Sequence, residues 1–210
     1  LVKNEKNESF SMGNNKILKS SKAKYCMLLN DDTIQDPKFI SELVKVAETD
    51  KKIGTLQPKI LSLRNKKMFE HAGACGGHID IFGYPICRGR VFETLEEDKG
   101  QYNEKTEIFW GCGVALFLNM DIIKNAGYLD EEFQSYAEEI DLSWRINLMG
   151  YKQVYIPTSV VYHLGSGTWG NNKLKIKKEY LLLSLLKIYF YFCIIEIFQV
   201  YLLIKKIKVR

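Results

Sequence analysis

The sequence lacks the cysteine pattern of a disulfide-stabilised or zinc-binding domain. It contains five cysteines, an odd number, and no two of them form a CxxC pair. Cys26 and Cys112 lie inside apolar runs, which predicts buried, reduced thiols and a cytoplasmic protein. Four possible zinc ligands occur in one segment: His71, Cys75, His78 and Cys87. Their spacings match no standard zinc-binding pattern.

A strong excess of basic charge and an amino-terminal apolar run are also missing. The net charge is +5, which suits a phosphate-bearing partner or an anionic membrane surface but is too small to indicate a nucleic-acid-binding protein. The basic residues cluster late, from Lys173 to Arg210, which argues against a basic stripe for DNA. The residues before Tyr25 are polar and rich in lysine, so no signal peptide is expected.

The composition is that of a globular protein. Of 210 residues, 46% are hydrophobic and 26% are charged, which allows one α/β domain with a substantial core and an appendage. The wholly apolar run Tyr25–Leu29 predicts a strand buried on both faces of a mostly parallel sheet. Asp36 and Pro37 then predict the start of a helix whose apolar face runs from Phe39 to Ala47.

Further elements follow from apolar periodicity and from glycines that end helices. The other predicted helices are Gly13–Lys22, with Asn14 as its cap, Asp121–Ala126 and Ala137–Met149. The other predicted strands are Ile53–Leu56, Ile108–Leu118, Val154–Ile156 and Val160–Tyr162. The glycine-rich segment 62–105 has little regular pattern, and such long excursions in compact domains are usually functional.

The stretch Tyr180–Ile204 contains only two charged residues, Lys187 and Glu196. It is long enough to span a bilayer. However, its polar residues fall on one half of a helical wheel, which favours a helix lying in the membrane interface or packing on a partner. The flanking basic clusters suit an anionic surface. The alternative is an ordinary amphipathic helix packed on the domain.

Asn30, Asp31 and Asp32 follow the first predicted strand directly. Ligands bind at the carboxyl ends of strands in open α/β sheets, and carboxylates are natural ligands for Mg²⁺ or Mn²⁺ ions that bridge to a diphosphate. The alternative is a solvated turn.

Glu138, Glu139 and Asp141 open a predicted helix. Acidic residues in a first turn stabilise a helix, and this is the simpler interpretation of one or two of them. At helical spacing, Asp141 and Arg145 can form an ion pair. Glu139 points about 100° away from Glu138, so it is free to face a cleft and act as a general base.

His163 and Trp110 complete the set of candidates. His163 ends an apolar strand, where a lone histidine is more often a hydrogen-bonded structural residue. Trp110 is followed by Gly111, Cys112 and Gly113, so the backbone there can approach another group closely. The alternative for Trp110 is a core aromatic residue.

In this order along the chain, these residues resemble the family 2 glycosyltransferases, and most closely their rhamnosyltransferase-like and galactofuranosyltransferase-like members. The segments that carry the resemblance are Phe10–Asn15, Tyr25–Thr33, Trp110–Gly113, Gly127–Phe133, Glu138–Arg145, Gly150-Tyr151 and His163. The resemblance extends from Phe10 to about Trp169, and the segment Gly83–Gly89 resembles the family's loop over the active site.

The resemblance implies a GT-A-type (Rossmann-like) fold, a mixed sheet with flanking helices, and inversion at the anomeric carbon. It implies that Asp32 and His163 hold Mn²⁺ or Mg²⁺ and that Glu139 is the catalytic base. The residues assigned to substrate binding are Asn14, Asn30, Asp31, Trp110, Glu138 and Asp141.

The sequence departs from the family in two ways. The family usually has Glu-Asp where this chain has Glu138-Glu139. The family's opening strand, its first helix and the aspartate that binds the nucleotide base have no counterpart here. We therefore expect residues 1–170 to be a partial, amino-terminally truncated GT-A domain. A basic linker and an apolar helix are expected to follow over 171–210. We expect the strand Tyr25–Leu29 of such a chain to keep an unpaired edge, and the chain alone to be inactive.

The expected function is transfer of a glycosyl group from a nucleotide-sugar donor to an acceptor hydroxyl of a glycan or glycolipid, in the synthesis of cell-surface polysaccharide or glycolipid. The expected location is the inner face of the cell membrane, with peripheral membrane contact and no nucleic-acid partner. Two alternatives are a non-catalytic remnant that acts as a binding module and a membrane-associated scaffold that works through its terminal helix.

Overall fold

The computed structural model of the chain describes residues 8–71, 73–133 and 136–165. The predicted terminal helix over Tyr180–Ile204 and the predicted segment 171–210 lie outside the described residues. Within the described ranges, none of the helices has both the length and the apolar character needed to cross a membrane.

The elements follow one another in a mixed α/β order. The helices of the described residues are α1 (Phe10–Ser20), α2 (Phe39–Ala47), α3 (Met120–Asn125) and α4 (Glu138–Leu148). The strands are β1 (Tyr25–Leu29), β2 (Thr33–Gln35), β3 (Ile53–Ser62), β4 (Gly77–Ile79), β5 (Pro85–Cys87), β6 (Arg90–Val91), β7 (Thr94–Leu95), β8 (Thr106–Ile108), β9 (Ala115–Asn119) and β10 (Lys152–His163).

The central sheet is mixed. Its strand order is β1-β9-β3-β10-β2, with β8 also paired to β10. Only β3 and β10 run parallel, with Val154 opposite Leu56, and the other described pairings are antiparallel. The predicted mixed sheet with flanking helices is therefore confirmed.

Among the described residues, the prediction for β1 is right in its bounds and in its unpaired edge, and wrong in its burial on both faces of a mostly parallel sheet. The strand lies at one end of the sheet order, pairs antiparallel with β9, and has side chains that are mostly half-buried. An apolar run of five residues fits a half-covered edge strand as well as a central one. Whether such a run becomes an edge strand or a central strand depends on which distant segments pair with it.

Alternate side chains of β9 face two different layers, as expected from the period of two in a strand. Ala115 and Phe117 pack in the layer that contains α2, whereas Leu116 and Leu118 pack with α1, α3 and much of α4. All four are almost fully buried. The sheet therefore carries helices on both faces.

Helix α1 begins earlier than predicted. Ser9 is its cap, and its Oγ accepts a hydrogen bond from the Met12 amide at 3.3 Å. Asn14 lies inside the helix instead of capping it, and its side-chain amide donates to the Phe10 carbonyl at 2.9 Å. Serine is as good a cap as asparagine, so cap preference alone does not distinguish Ser9 from Asn14.

Two strand boundaries also differ from prediction. The predicted strand Ile108–Leu118 is two strands, β8 and β9, because the glycine-containing segment 109–114 leaves the ladder. The two predicted strands after residue 150 are one strand, β10, whose pairing with β3 shifts register between Ile156 and Val160. β3 is longer than predicted, and the segment 62–105 forms two short hairpins, β4 with β5 and β6 with β7.

The buried carboxamide of Gln153, on β10, joins three parts of the fold. Its Oε1 accepts hydrogen bonds from the hydroxyls of Thr55 at 2.9 Å and Ser143 at 2.8 Å. Its Nε2 donates to the carbonyls of Ser143, at 3.0 Å, and Phe109. Gln153 therefore fixes α4 and the segment after β8 against the central strands.

We predict that Gln153→Leu lowers the free energy of unfolding by about 2–4 kcal/mol, because it leaves buried hydroxyl and carbonyl groups without their partners. Urea denaturation followed by circular dichroism measures this change. As a control, Thr55→Val removes one donor from the same cluster and should cost about 1 kcal/mol. A Gln153→Leu protein as stable as the wild type would contradict this role.

Candidate active site

The turn after β1 is fixed by its backbone and by Thr33. The Asn30 amide donates to the Val114 carbonyl at 2.9 Å, and the Thr33 hydroxyl donates to the Asn30 carbonyl at 2.7 Å. The amide of Leu164, just beyond β10, donates to the Asp32 carbonyl at 3.0 Å. These bonds place Asn30 and Asp32 beside the end of β10, while the side chain of Asp31 faces solvent.

His163, the last residue of β10, lies between two carboxylates. Its Nε2 is 3.0 Å from Asp32 Oδ1, and its Nδ1 is 3.3 Å from Glu70 Oε1. The side-chain nitrogen of Asn30 lies 3.4 Å from Nε2. The structure thus brings Asn30, Asp32 and His163 together and adds Glu70, which the sequence analysis did not select.

Burial and charge act in opposite directions on His163. Burial alone would lower the pKa of its imidazole, but contact with the carboxylates of Glu70 and Asp32 outweighs burial and raises that pKa. The ring is buried, with 6% of the residue exposed. It is therefore held in one place by charged partners on both of its nitrogen atoms.

Glu138 and Glu139 form a strained, buried start to α4. The preceding Ala137 has a left-handed backbone, with φ 72°. Burial, and then the charge of Glu139, raise the pKa of Glu138 to about 8. Burial also raises the pKa of Glu139, against the stabilising hydrogen bonds of backbone amides, including that of Gly113.

The two glutamates differ in burial: residue Glu138 is buried, whereas residue Glu139 is half-buried. That Glu139 faces a substrate stays a prediction. The Oε2 atom of each is buried and has no hydrogen-bond partner among the described residues. Such carboxylates with raised pKa values are typical of functional sites.

The predicted ion pair between Asp141 and Arg145 is confirmed. Asp141 Oδ2 lies 2.6 Å from Nη2 of Arg145. Nη2 also donates to the Tyr128 carbonyl at 2.7 Å, and Nη1 donates to the Ala126 carbonyl. Asp141 is thereby part of a buried link between α4 and the residues after α3. Its assignment to substrate binding stays a prediction.

Trp110 lies in the core, at 4% exposure. Its indole N–H donates to the His78 carbonyl at 3.1 Å, and its ring lies directly against Gly73 and Gly77. A side chain at Gly77 would come within 2.3 Å of the ring. This placement matches the core-aromatic alternative, and contact of Trp110 with a sugar stays a prediction.

The loop after Trp110 is held by a second buried glutamine. The Cys112 amide donates to Gln57 Oε1 at 2.6 Å. At Gly113 an added Cβ would lie 4.0 Å from the carboxyl carbon of Glu139, so the loop backbone passes close to that carboxylate.

Cys112 connects the two groups of acidic residues. Its buried thiol has a pKa raised well above the ordinary value, first by burial and then by charges that include Glu139 and Glu70. Glu139 and Glu70 therefore both act on the thiol of Cys112. We call the acidic residues at the start of α4, with Asp32, Glu70 and His163 at the ends of β1 and β10, the acidic cleft.

Sequence analysis missed Glu70 and Asn15. Glu70 is a single acidic residue in a glycine-containing apolar segment, and no motif marks it as functional. In this segment the sequence analysis selected His71 instead, as a possible zinc ligand. His71 is exposed and contacts Arg90 and Glu93. Asn15, not Asn14, is buried, and its amide bonds to the carbonyl of Leu129 and to Glu131.

The donor atoms of Asp32 and His163 suit a divalent cation. Within the described ranges, no three His, Cys, Asp or Glu side chains converge on a common metal position. Two protein ligands are nevertheless sufficient when substrate phosphates and water complete the shell. Neighbouring octahedral ligands at Mg²⁺-type bond lengths are about 3.0 Å apart, and the observed separation of Oδ1 and Nε2 is 3.0 Å.

No family model and no curated protein matches the chain. A solved structure with a similar fold is the crystal structure of GalNAc-T7 with UDP, GalNAc and Mn²⁺, at 16% sequence identity and a TM-score of 0.59. The match covers 76% of this chain and 31% of GalNAc-T7, so the chain corresponds to less than a third of that protein. The similarity shows the fold, which is of the GT-A type as predicted.

Proposed function

We propose that the chain is the metal-binding and catalytic part of a glycosyltransferase that moves a sugar from a nucleotide-sugar donor to an acceptor hydroxyl. The observation that carries the proposal is the acidic cleft. In a GT-A fold, it joins the Asp32–His163 pair to a buried carboxylate at the start of α4. The UDP, GalNAc and Mn²⁺ in the GalNAc-T7 structure support this choice of substrates and cation.

Asp32 Oδ1 and His163 Nε2 would hold Mn²⁺ or Mg²⁺. A bound divalent cation neutralises the charge that develops on the departing nucleoside diphosphate. Asn30 and Asp31 share the same turn and would contact the ribose and diphosphate of the donor. The backbone of this turn is fixed on either side of Asp31 by the bond of Asn30 to Val114 and the bond of Asp32 to Leu164, so little ordering is needed on binding.

Glu139 would accept the proton of the acceptor hydroxyl as that oxygen attacks the anomeric carbon. A carboxylate is an effective general base when its pKa approaches the working pH, and burial raises the pKa of Glu139 in that direction. One base and one attacking hydroxyl are sufficient for a single displacement with inversion. No enzyme nucleophile is needed.

The assignment to a particular glycosyltransferase family rests on the order of the sequence motifs along the chain. We assign the chain to the family 2 glycosyltransferases, with an acceptor in cell-surface polysaccharide or glycolipid. The apolar stretch Tyr180–Ile204 and its flanking lysines support peripheral contact with the inner face of the cell membrane.

We predict that glycosyl transfer by the full-length protein requires a divalent cation. Nucleotide release from a panel of UDP-sugars should stop when excess chelator is added and return with Mn²⁺, because the cation held by Asp32 and His163 would neutralise the charge on the departing diphosphate. Undiminished release in excess chelator would exclude this mechanism.

The second prediction concerns the base. Glu139→Gln should lower kcat by about 10²-fold or more, because an amide cannot accept the hydroxyl proton, while the Kd for the donor changes little. The matched control is Glu138→Gln, one residue away on the same helix, which should affect kcat less. If Glu138→Gln were the more damaging change, the base would be misassigned.

The third prediction concerns pH. With saturating Mn²⁺, kcat should rise with pH along an acid limb whose apparent pKa lies above the 4.5 of an ordinary glutamate, because Glu139 must be ionised and its pKa is raised. Glu138→Gln should retain this limb and lose any ionisation near the pKa of about 8 that Glu138 has in the wild type. A profile of kcat from pH 4 to 9 that showed no acid limb would rule out a base of this kind.

A further inference from the structure

Glu70 is a buried carboxylate to which the proposed chemistry gives no role. It follows Phe69 in the segment after β3, with 7% of the residue exposed. Its backbone amide donates to the Ile60 carbonyl at 3.2 Å, and the next segment is tied back by the bond from the Ile60 amide to the Ala74 carbonyl at 2.8 Å. The position of Glu70 is therefore set by the central strand β3.

The backbone around His163 keeps the histidine facing Glu70. The Leu63 amide donates to the His163 carbonyl at 2.8 Å. Gly165 has φ +63°, and an added Cβ there would lie 3.1 Å from Glu70 Oε1 and 4.0 Å from His163 Nδ1. A glycine at this position thus leaves space for the carboxylate and the ring to meet.

Glu70 and Asp32 contact opposite nitrogens of the same ring. Glu70 Oε1 is 3.3 Å from Nδ1, and Asp32 Oδ1 is 3.0 Å from Nε2. A cation bound to Nε2 and Asp32 would therefore lie on the far side of the ring from this contact. In this geometry Glu70 acts on the cation through the imidazole.

In the metal-free chain two carboxylates compete for the proton of a neutral His163, because each can only accept: Asp32 favours hydrogen on Nε2 and Glu70 favours hydrogen on Nδ1. A cation held by Asp32 and Nε2 would remove the competition from Asp32, and Glu70 would then favour the tautomer with hydrogen on Nδ1 that leaves the lone pair of Nε2 to the metal. The 3.3 Å contact is an ion-pair approach without regular hydrogen-bond angles, and Nδ1 has no hydrogen-bond partner among the described residues. Ligation at Nε2 would make Nδ1–H a stronger donor and shorten this contact.

We propose that Glu70 is a positioning residue that fixes the tautomer and orientation of His163, so that His163 Nε2 and Asp32 together bind a divalent cation. This inference rests on the proposed function, because it requires that the acidic cleft takes such a cation. Carboxylates that accept from metal-binding histidines typically contribute 10- to 100-fold to metal affinity.

The influence of Glu70 on the tautomer can be read once the competing carboxylate is removed. The sequence has only three histidines, so the ring ¹⁵N signals of the metal-free full chain can be assigned by substituting His71 and His78 in turn. At about pH 9, above the ordinary histidine titration, His163 of the Asp32→Asn chain should carry its proton on Nδ1, and adding Glu70→Gln should shift the proton toward Nε2. A proton on Nε2 in the Asp32→Asn chain with Glu70 intact would overturn the proposal.

Metal affinity tests the same proposal independently. Mn²⁺ alone is titrated into the full chain, and the free ion is followed by electron paramagnetic resonance. Glu70→Gln should weaken Mn²⁺ binding about 10-fold or more and increase the Nε2-protonated form of His163. The matched control is Glu93→Gln, an exposed carboxylate of the same excursion, which should leave affinity within about two-fold of the wild type.

The Asp32→Asn variant distinguishes a failure of the proposed cation site from a failure of the role of Glu70. If Asp32→Asn abolishes Mn²⁺ binding while Glu70→Gln binds like the wild type, the cation site stands and the role of Glu70 is refuted. If Asp32→Asn binds Mn²⁺ normally, the cation site of the proposed function is wrong, and the inference about Glu70 falls with it.

Discussion

The geometry of the acidic cleft depends on the parallel pairing of β3 with β10 and on the Gln153 carboxamide beside it. Gln153 both donates and accepts, so one side chain satisfies hydroxyls from β3 and α4 and carbonyls from α4 and the segment after β8. Gln57, on the parallel neighbour β3, holds the Cys112 amide in the same way. Gln153 thus holds α4 at Ser143, and Gln57 holds the glycine loop at Cys112, on either side of Glu139 in the fold.

The cleft concentrates carboxylates where a fold optimised for stability alone would place apolar groups. Burial raises the pKa values of Glu138 and Glu139, so each would ionise more easily in the unfolded chain than in the folded one. This cost is tolerated because the surrounding layers of apolar side chains are well buried. Destabilising charge of this kind is common where proteins bind ligands or move protons.

Local features could be predicted from the sequence, and long-range ones could not. The bounds of β1 follow from an apolar run of five residues. The pairing of Asp141 with Arg145 follows from their i, i+4 spacing in one helix. The antiparallel pairing of β1 with β9 depends on a partner far along the chain, and residue type alone does not distinguish Ser9 from Asn14 as the cap of α1. The pairing of Asp32 with His163 was predicted from the order of family motifs. Glu70 was missed because its partner His163 lies far along the chain.

The burial of Trp110 has a similar origin. An aromatic residue before a glycine loop can face a ligand or the core, and its own sequence neighbours do not distinguish the two. The decision is made by Gly73 and Gly77, which come from the long excursion and leave room for the indole. A pattern confined to residues 110–113 carries no information about these partners.

The position of β10 within the sheet has a consequence for biosynthesis. β10 lies between β3 and β2 and also pairs with β8, although all three precede it in the chain. During translation, β3 and β2 leave the ribosome long before the strand that separates them. The nascent chain must therefore keep a gap in its sheet, with exposed edges that can pair wrongly. Insertion of β10 closes this gap, and only then does His163 reach Asp32.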